Sequence, residues 1–166
     1  MVLTTVVLWV HVFGAIGWLG AALVFGMVLG PSLGRLSPQT RTEFVVRVLP
    51  RFLRYIETFT LITLIFGTAT VVAMLNGNLS LFSLSTDFGL YITVGASLAL
   101  VAVAISVGVI IPAAHRIIRF SEAMMKTPGP PPPELIAASR RLTVSSMVDL
   151  VLMIAVTIFM VAAATL

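Results

Sequence analysis

The chain has 166 residues, of which 59% are hydrophobic and 10% are charged. A soluble domain carries about 25% charged residues, so this composition fits a chain surrounded by lipid. A membrane span takes about 20 apolar residues, so the length predicts four spans in one domain, with no separate soluble domain. The absence of cysteine excludes disulfides, thiolate metal sites and covalently attached haem c.

The net charge of +4 would suggest a nucleic-acid partner in a soluble protein. Here the basic residues flank hydrophobic segments, so we interpret them as topology signals and anionic-lipid contacts, and we expect no nucleic-acid partner. They fall in two groups, Arg35, Arg41, Arg47, Arg51 and Arg54 in the first and Arg116, Arg119, Lys126, Arg140 and Arg141 in the second. The positive-inside rule then predicts an all-α bundle of up-down-up-down topology in the cell membrane, with both termini outside.

The first two spans precede and follow the first basic group. Span one covers residues 3–30 and ends at Pro31. Its start lacks the basic segment and the small-residue cleavage site of a signal peptide, so we expect a true first span. Span two covers residues 52–75 and stops at the turn Asn76-Gly77-Asn78.

The last two spans enclose a proline-rich segment. Span three covers residues 88–111, and its apolar stripe continues past Pro112, which should bend the helix, as far as Met125. Residues 128–133 predict a stiff cytoplasmic linker. Span four covers residues 142–166, with an amphipathic lead-in from Glu134.

His11 is the first candidate for chemistry. It lies inside span one, about 12 Å from the outer end at helical rise, where an ionisable residue is a functional candidate. Gly14 and Ala15 lie on the same helix face, and Trp18 continues it. Small residues beside a histidine leave a slot that a macrocycle can enter edge-on, with the imidazole reaching its iron. The same pattern fits a histidine bonded to a neighbouring helix, with Gly14 and other glycines allowing close packing.

The run LWVHVFGAIGWLGAALVFGMVLGPSL resembles the first helix of CopD-like and HemJ-like membrane proteins. The matching residues are His11, Trp18, Gly20 and Pro31, and the segment FLRYIETFTLITLIFGTATVV resembles the CopD-like second span. The HemJ-like resemblance implies haem b held by the first-helix histidine and a role in porphyrinogen oxidation. The CopD-like resemblance implies copper handling. The later basic residue of HemJ-like proteins has no evident counterpart here.

A sixth ligand of such a haem would come from span four. Met160 lies at the depth of His11 and shares a face with Met153, and methionine can ligate haem iron or Cu(I), although it is more often core filler. Without a strong ligand the iron is five-coordinate and can bind a diatomic gas, near the polar residues Thr68, Tyr91 and Ser97. His115 lies at the wrong depth to share this haem, and we interpret it as an interfacial residue beside Arg116 and Arg119.

Two acidic residues lie inside the predicted spans. Glu57 in span two and Asp149 in span four are at similar heights, and Arg54, one turn before Glu57, is a natural partner. The three residues predict either an ion pair that fixes helix register or a proton path toward the outer site.

The residues and the resemblance together predict a haem b oxidoreductase with His11 as the single strong axial ligand. Its chemistry would involve O2 or nitric oxide, or electron transfer, with a donor that the sequence does not identify, and a homo-oligomer is compatible with the sequence. Two alternatives remain open at this stage: a copper-handling protein that uses His11, Met153 and Met160, and a non-catalytic membrane subunit.

Overall fold

The computed structural model describes residues 2–75, 82–127 and 129–166, and every regular element within them is helical. The predicted turn Asn76-Gly77-Asn78 and Pro128 lie outside the described residues. Five helices follow one another in these ranges: α1 Val2–Leu33, α2 Pro38–Arg47, α3 Leu49–Leu75, α4 Asp87–Lys126 and α5 Pro133–Ala164.

Four of these helices, α1, α3, α4 and α5, are long and apolar enough to cross a membrane. The four predicted long apolar helices are confirmed, and each extends beyond its predicted span, α3 by starting at Leu49. Helix α1 continues through Pro31 to Leu33, α4 continues past Pro112 to Lys126 as the apolar stripe predicts, and α5 begins at Pro133. Proline fits the first turn of α5 because its missing N–H has no partner there in any helix.

A π-helical turn precedes the proline in both α1 and α4. In α1 it spans Val24–Leu29, and the N–H of Gly30 bonds to the Phe25 carbonyl, five residues back. In α4 it spans Ser106–Ile110, and the N–H of Ile111 bonds to the Ser106 carbonyl. Proline cannot donate a backbone hydrogen bond and its ring collides with a carbonyl of the preceding turn. The wider turn relieves both problems, so each helix continues instead of ending.

The short helix α2 was not among the predicted elements. Ser37 caps it, accepting a hydrogen bond from the Thr40 N–H at 3.2 Å, and Pro38 occupies the first turn. Arg41 donates to the carbonyls of Leu33 and Gly34 at 2.9 and 3.2 Å. A side chain of α2 therefore supplies hydrogen-bond donors to backbone carbonyls at the C-terminal end of α1, which have no partner within that helix.

The helices pair as two hairpins, α1 against α3 and α4 against α5. At the end of the bundle that carries the Lys and Arg residues, called here the basic end, α2 packs against the C-terminal part of α4. A buried apolar cluster there joins α2, α3, α4 and α5, and its members include Val45, Leu49, Ala114, Ile117 and Leu142. A second cluster, Trp18, Ala102 and Met153, joins α1, α4 and α5 nearer the middle.

Candidate functional site

An internal cavity lies between the two hairpins, and all four long helices line it. Its volume is about 40 Å³, and each buried water needs roughly 10–15 Å³, so it has room for about three waters. Asp149 lines the cavity and is 4% exposed. A carboxyl group thus lies inside an otherwise mainly apolar helical bundle.

The Asp149 carboxyl is only partly satisfied by protein. Its Oδ2 accepts a hydrogen bond from the buried Ser106 hydroxyl at 3.4 Å. Its Oδ1 is buried and has no hydrogen-bond partner among the described residues. Ser146, one turn earlier on α5, adds a second hydroxyl to the cavity wall, and no Lys or Arg lines it. Asp149 Oδ1 is therefore a buried acceptor without a protein partner in the described residues, and it belongs to a residue that lines the cavity.

Aromatic and aliphatic side chains complete the cavity. Trp18, Phe25 and Phe52 line it, and the rings of Phe25 and Phe52 stack with centroids 5.6 Å apart. Beyond Asp149, Trp18 packs with Ala102 and Met153. The cavity reaches the other way along the bundle to Leu142, about 10 Å at helical rise.

The predicted partnership of Arg54 with Glu57 is not formed. Arg54 is exposed and has no ion-pair partner among the residues that the structure describes. Glu57 instead faces His115, with Oε1 and Nε2 3.9 Å apart, so His115 contacts an acid rather than only the arginines beside it. Glu57 and Asp149 therefore belong to different environments, one partly exposed and one buried.

His11 is bonded to the neighbouring helix. Its Nδ1–H donates to the backbone carbonyl of Thr63 in α3 at 2.9 Å. Gly67, one turn further along α3, makes room for the ring, because a Cβ at that position would lie 2.8 Å from His11 Nδ1 and Cε1. In the neutral tautomer that donates from Nδ1, Nε2 carries the lone pair, and no protein hydrogen bond to Nε2 is seen in the described ranges.

The slot predicted beside His11 is filled by α3. A Cβ on Gly14 would lie 2.8 Å from Thr63 Oγ1 and from Ile62 Cγ2, and Gly17 lies against the Phe59 ring. Ala15 is half-buried, and Trp18 lines the Asp149 cavity instead of continuing a haem face. The glycines therefore serve close helix packing, which was the alternative interpretation, and leave no space for a macrocycle between α1 and α3.

The other residues predicted around the outer site pack against different partners and do not form one site. Met160 packs against Gly95 of α4, and Met153 packs in the cluster with Trp18. Tyr91 contacts Phe159, with ring centroids 6.1 Å apart, and Ser97 donates to the carbonyl of Thr93 in its own helix. Thr68 is exposed. No group of three or more His, Asp or Glu side chains that could hold a metal ion occurs in the described part of the chain.

Ser106, Ser146 and Phe52 are site residues that the sequence interpretation did not include. Ser146 could have been found, because it precedes Asp149 by three residues on the same helix face. Ser106 and Phe52 depend on the register between helices, for which the sequence carries no comparable signal.

Comparison of the chain with family models, with curated protein sequences and with solved structures finds no match. The resemblance to CopD-like and HemJ-like proteins therefore stays a prediction, and the function is argued from the site alone.

Proposed function

We propose that this chain is a proton-coupled membrane protein in which Asp149 takes up and releases a proton inside the bundle. The observation that carries the proposal is the buried Oδ1 of Asp149, which has no hydrogen-bond partner in the described residues and belongs to a residue that lines the cavity. A carboxylate without a basic partner is costly in lipid, so a structural role alone is a poor reason for its presence.

The surrounding residues support this role. Ser106 donates to Oδ2 at 3.4 Å, so in the proposal Oδ1, unpartnered within the described residues, is the oxygen that exchanges the proton. The cavity volume of about 40 Å³ has room for water beside this residue, and Trp18 packs with Met153 on one side. Of the two roles predicted for the acidic residues, an ion pair or a proton path, we therefore assign the proton path to Asp149, without Arg54.

Proton movement in lipid vesicles tests the proposal. Purified protein is reconstituted with a pH-sensitive dye inside, and a pH step is applied outside. We expect a dye response with wild-type protein, loss of the response in Asp149→Asn, and partial recovery in Asp149→Glu. Asp87→Asn is the matched control, because Asp87 is an exposed carboxyl in the first turn of α4.

Reaction with a hydrophobic carbodiimide gives a second measurement on the same samples. The reagent modifies protonated carboxyls in apolar surroundings, so mass spectrometry should find the adduct on Asp149. Equal proton movement in wild type and Asp149→Asn, together with no adduct on Asp149, would contradict the proposal.

Haem b binding at His11 is the second candidate, and the bond from Nδ1–H to the Thr63 carbonyl favours it. Such a bond orients an imidazole and leaves Nε2 as the ligand nitrogen. Because α3 fills the predicted slot, a haem would have to approach the half-buried ring from outside the α1–α3 contact. Bound there, it would supply redox chemistry with O2 or nitric oxide.

A Soret band tests this candidate directly. Purified wild-type protein and His115→Ala should show absorption near 400–430 nm, and His11→Ala should not. A wild-type protein without the band after haem addition excludes haem at His11. The copper alternative gains no support from contacts, because His11 packs on α3 while Met160 packs on α4.

The orientation is part of the proposal. We place the basic end in the cytoplasm and both termini outside the cell membrane, because all ten Lys and Arg residues lie in or beside the two connections at that end.

A further inference from the structure

A groove on the outside of the bundle lies between α1 and α3. Gly20, Ala21 and Val24 form one side, and Phe52 and Tyr55 form part of the other. The volume of the groove is about 380 Å³. A Cβ on Gly20 would meet nothing within 4 Å, so the missing side chain keeps this space open. The groove therefore offers an apolar surface to a molecule dissolved in the membrane.

Phe52 separates this groove from the Asp149 cavity. Its half-buried side chain lines both spaces, and its ring stacks on Phe25 inside the bundle. On α1, Ala21 lines the groove and Ala22 lines the cavity. A rotation of the Phe52 side chain would join the groove and the cavity. At the basic end, by contrast, the cavity lies against the buried cluster that contains Leu49 and Ala114.

We propose that the Asp149 site takes a lipophilic amine, with its ammonium head in the cavity and its apolar tail in the groove. This inference rests on the proposed function, because it uses the same carboxyl. The carboxylate supplies the negative charge, and the aromatic side chains of Trp18, Phe25 and Phe52 line the same cavity, as suits an organic cation. The cavity is sized for a small head, and the tail needs the larger space beyond Phe52.

The proton balance follows from the acid–base chemistry of the amine and the Asp149 carboxyl. A neutral amine that arrives from the lipid takes the proton from the Asp149 carboxylic acid, giving an ammonium ion and a carboxylate. The exposed Arg51 lines the groove and disfavours passage of the charged form, so the neutral amine is the form that enters. A charged alkylammonium ion taken from water must instead release one proton to water for each molecule bound.

Decylamine is a suitable probe because its tail matches an apolar groove and its head is small. Binding to the purified full chain in maltoside micelles is measured by calorimetry, and proton release is measured in weak buffer. We expect release of about one proton per decylammonium bound. We expect at least tenfold weaker binding of decanol, which has the same tail without the charge, and of methylamine, which lacks the tail.

Variants separate the head site from the tail site. Asp149→Asn should lose binding and proton release together, while Asp149→Glu should retain them in part. Gly20→Leu fills the groove and should weaken decylamine binding at least fivefold without affecting methylamine. Gly129→Leu is the matched control, because a Cβ on Gly129 also meets nothing within 4 Å and the residue lies outside both the groove and the π-helical turn of Ser106. Phe52→Ala should speed association.

Equal decylamine binding by wild type and Asp149→Asn overturns the inference, as does binding of decanol as tight as that of decylamine. If proton movement depends on Asp149 but decylamine does not bind, the inference fails and the proposed function stands. If proton movement is also independent of Asp149, both fail.

Discussion

The contact between His11 and Gly67 shows how one pair of residues sets the distance between two membrane helices. The imidazole occupies the space that a side chain at Gly67 would take, and its N–H bonds to the carbonyl one turn before. A hydrogen bond of this kind contributes about 0.5–1.5 kcal/mol, and the ring packing adds to it. His11 therefore stabilises the α1–α3 hairpin whether or not it also binds a ligand.

A double-mutant cycle tests this contact. Gly67→Ala places a methyl group 2.8 Å from the ring and should destabilise the protein by about 1–3 kcal/mol. In a His11→Ala background the same substitution should cost about 1–2 kcal/mol less, because the space is then free. Unfolding in detergent micelles measures both, and Gly108→Ala is the control. An equal cost in the two backgrounds would show that the ring does not occupy this position.

Thr60 offers a second test at a single residue. Its Oγ1 is buried and has no hydrogen-bond partner in the described ranges, whereas Thr63 Oγ1 donates to the Phe59 carbonyl at 2.7 Å. Thr60→Val should leave the unfolding free energy unchanged or raise it by up to about 1 kcal/mol, because a buried unpaired hydroxyl is removed. Thr63→Val should lower it by about 0.5–1.5 kcal/mol. A clear loss in Thr60→Val would reveal a partner for its hydroxyl.

At the scale of whole helices, the π-helical turn of α4 couples Pro112 to the Asp149 site. The turn begins at Ser106, whose hydroxyl is the protein partner of the carboxyl. A residue adds about 100° of rotation in an α-helix, so a change from the π-helical to the α-helical pattern turns Ser106 relative to residues beyond Pro112. Pro112, six residues after Ser106, thus affects whether the Ser106 side chain reaches the cavity.

Pro112→Ala tests this coupling. Alanine restores the backbone donor, so the π turn can relax and helix stability should rise or stay unchanged. Asp149 should then react faster with the carbodiimide, by at least twofold, because Ser106 no longer holds its carboxyl. Pro31→Ala is the control, since the turn in α1 holds no hydrogen-bond partner of Asp149. An unchanged rate of carbodiimide reaction in Pro112→Ala would show that the proline does not influence the Asp149 site.

The sequence predicted the long helices better than the contacts between them. Runs of apolar residues identified all four, because lipid imposes a minimum length that composition reveals. It missed the end of α1, since proline does not always end a helix, whereas the start of α5 at Pro133 agrees with the lead-in predicted from Glu134. It found Asp149 by its charge, but it assigned Arg54 as the partner of Glu57 from spacing along one helix. Contacts such as Glu57 with His115 depend on how helices rotate against one another.

At the scale of the whole molecule, the two hairpins meet at the basic end and around Trp18. The basic-end cluster draws residues from both hairpins, and the cavity lies between that cluster and the contacts of Trp18 with Ala102 and Met153. The close helix contacts at Gly14 and Gly95 are each within one hairpin. A movement that exposes Asp149 would therefore separate the hairpins rather than unfold either one.

Thiol labelling tests the topology of the bundle, because the chain contains no cysteine of its own. Val2→Cys and Thr165→Cys should react with impermeant reagents in intact cells, since both termini lie opposite the basic end in a four-span bundle. Ser37→Cys and Thr127→Cys, next to the two basic groups, should react only after the cells are opened. Labelling of the second pair alone in intact cells would reverse the orientation.

In the proposed membrane orientation, the depth of Asp149 makes its protonation sensitive to voltage. Asp149 lies eight residues beyond Arg141, about 12 Å at helical rise, and a hydrocarbon layer is about 30 Å thick. A charge that crosses the full membrane potential gains about 2.3 kcal/mol per 100 mV, so a charge exchanged with one aqueous side at this depth gains about 1 kcal/mol. A 100 mV change should therefore shift the ratio of protonated to unprotonated Asp149 about fivefold. This bundle would respond to voltage without the arginine-rich helix of a voltage sensor.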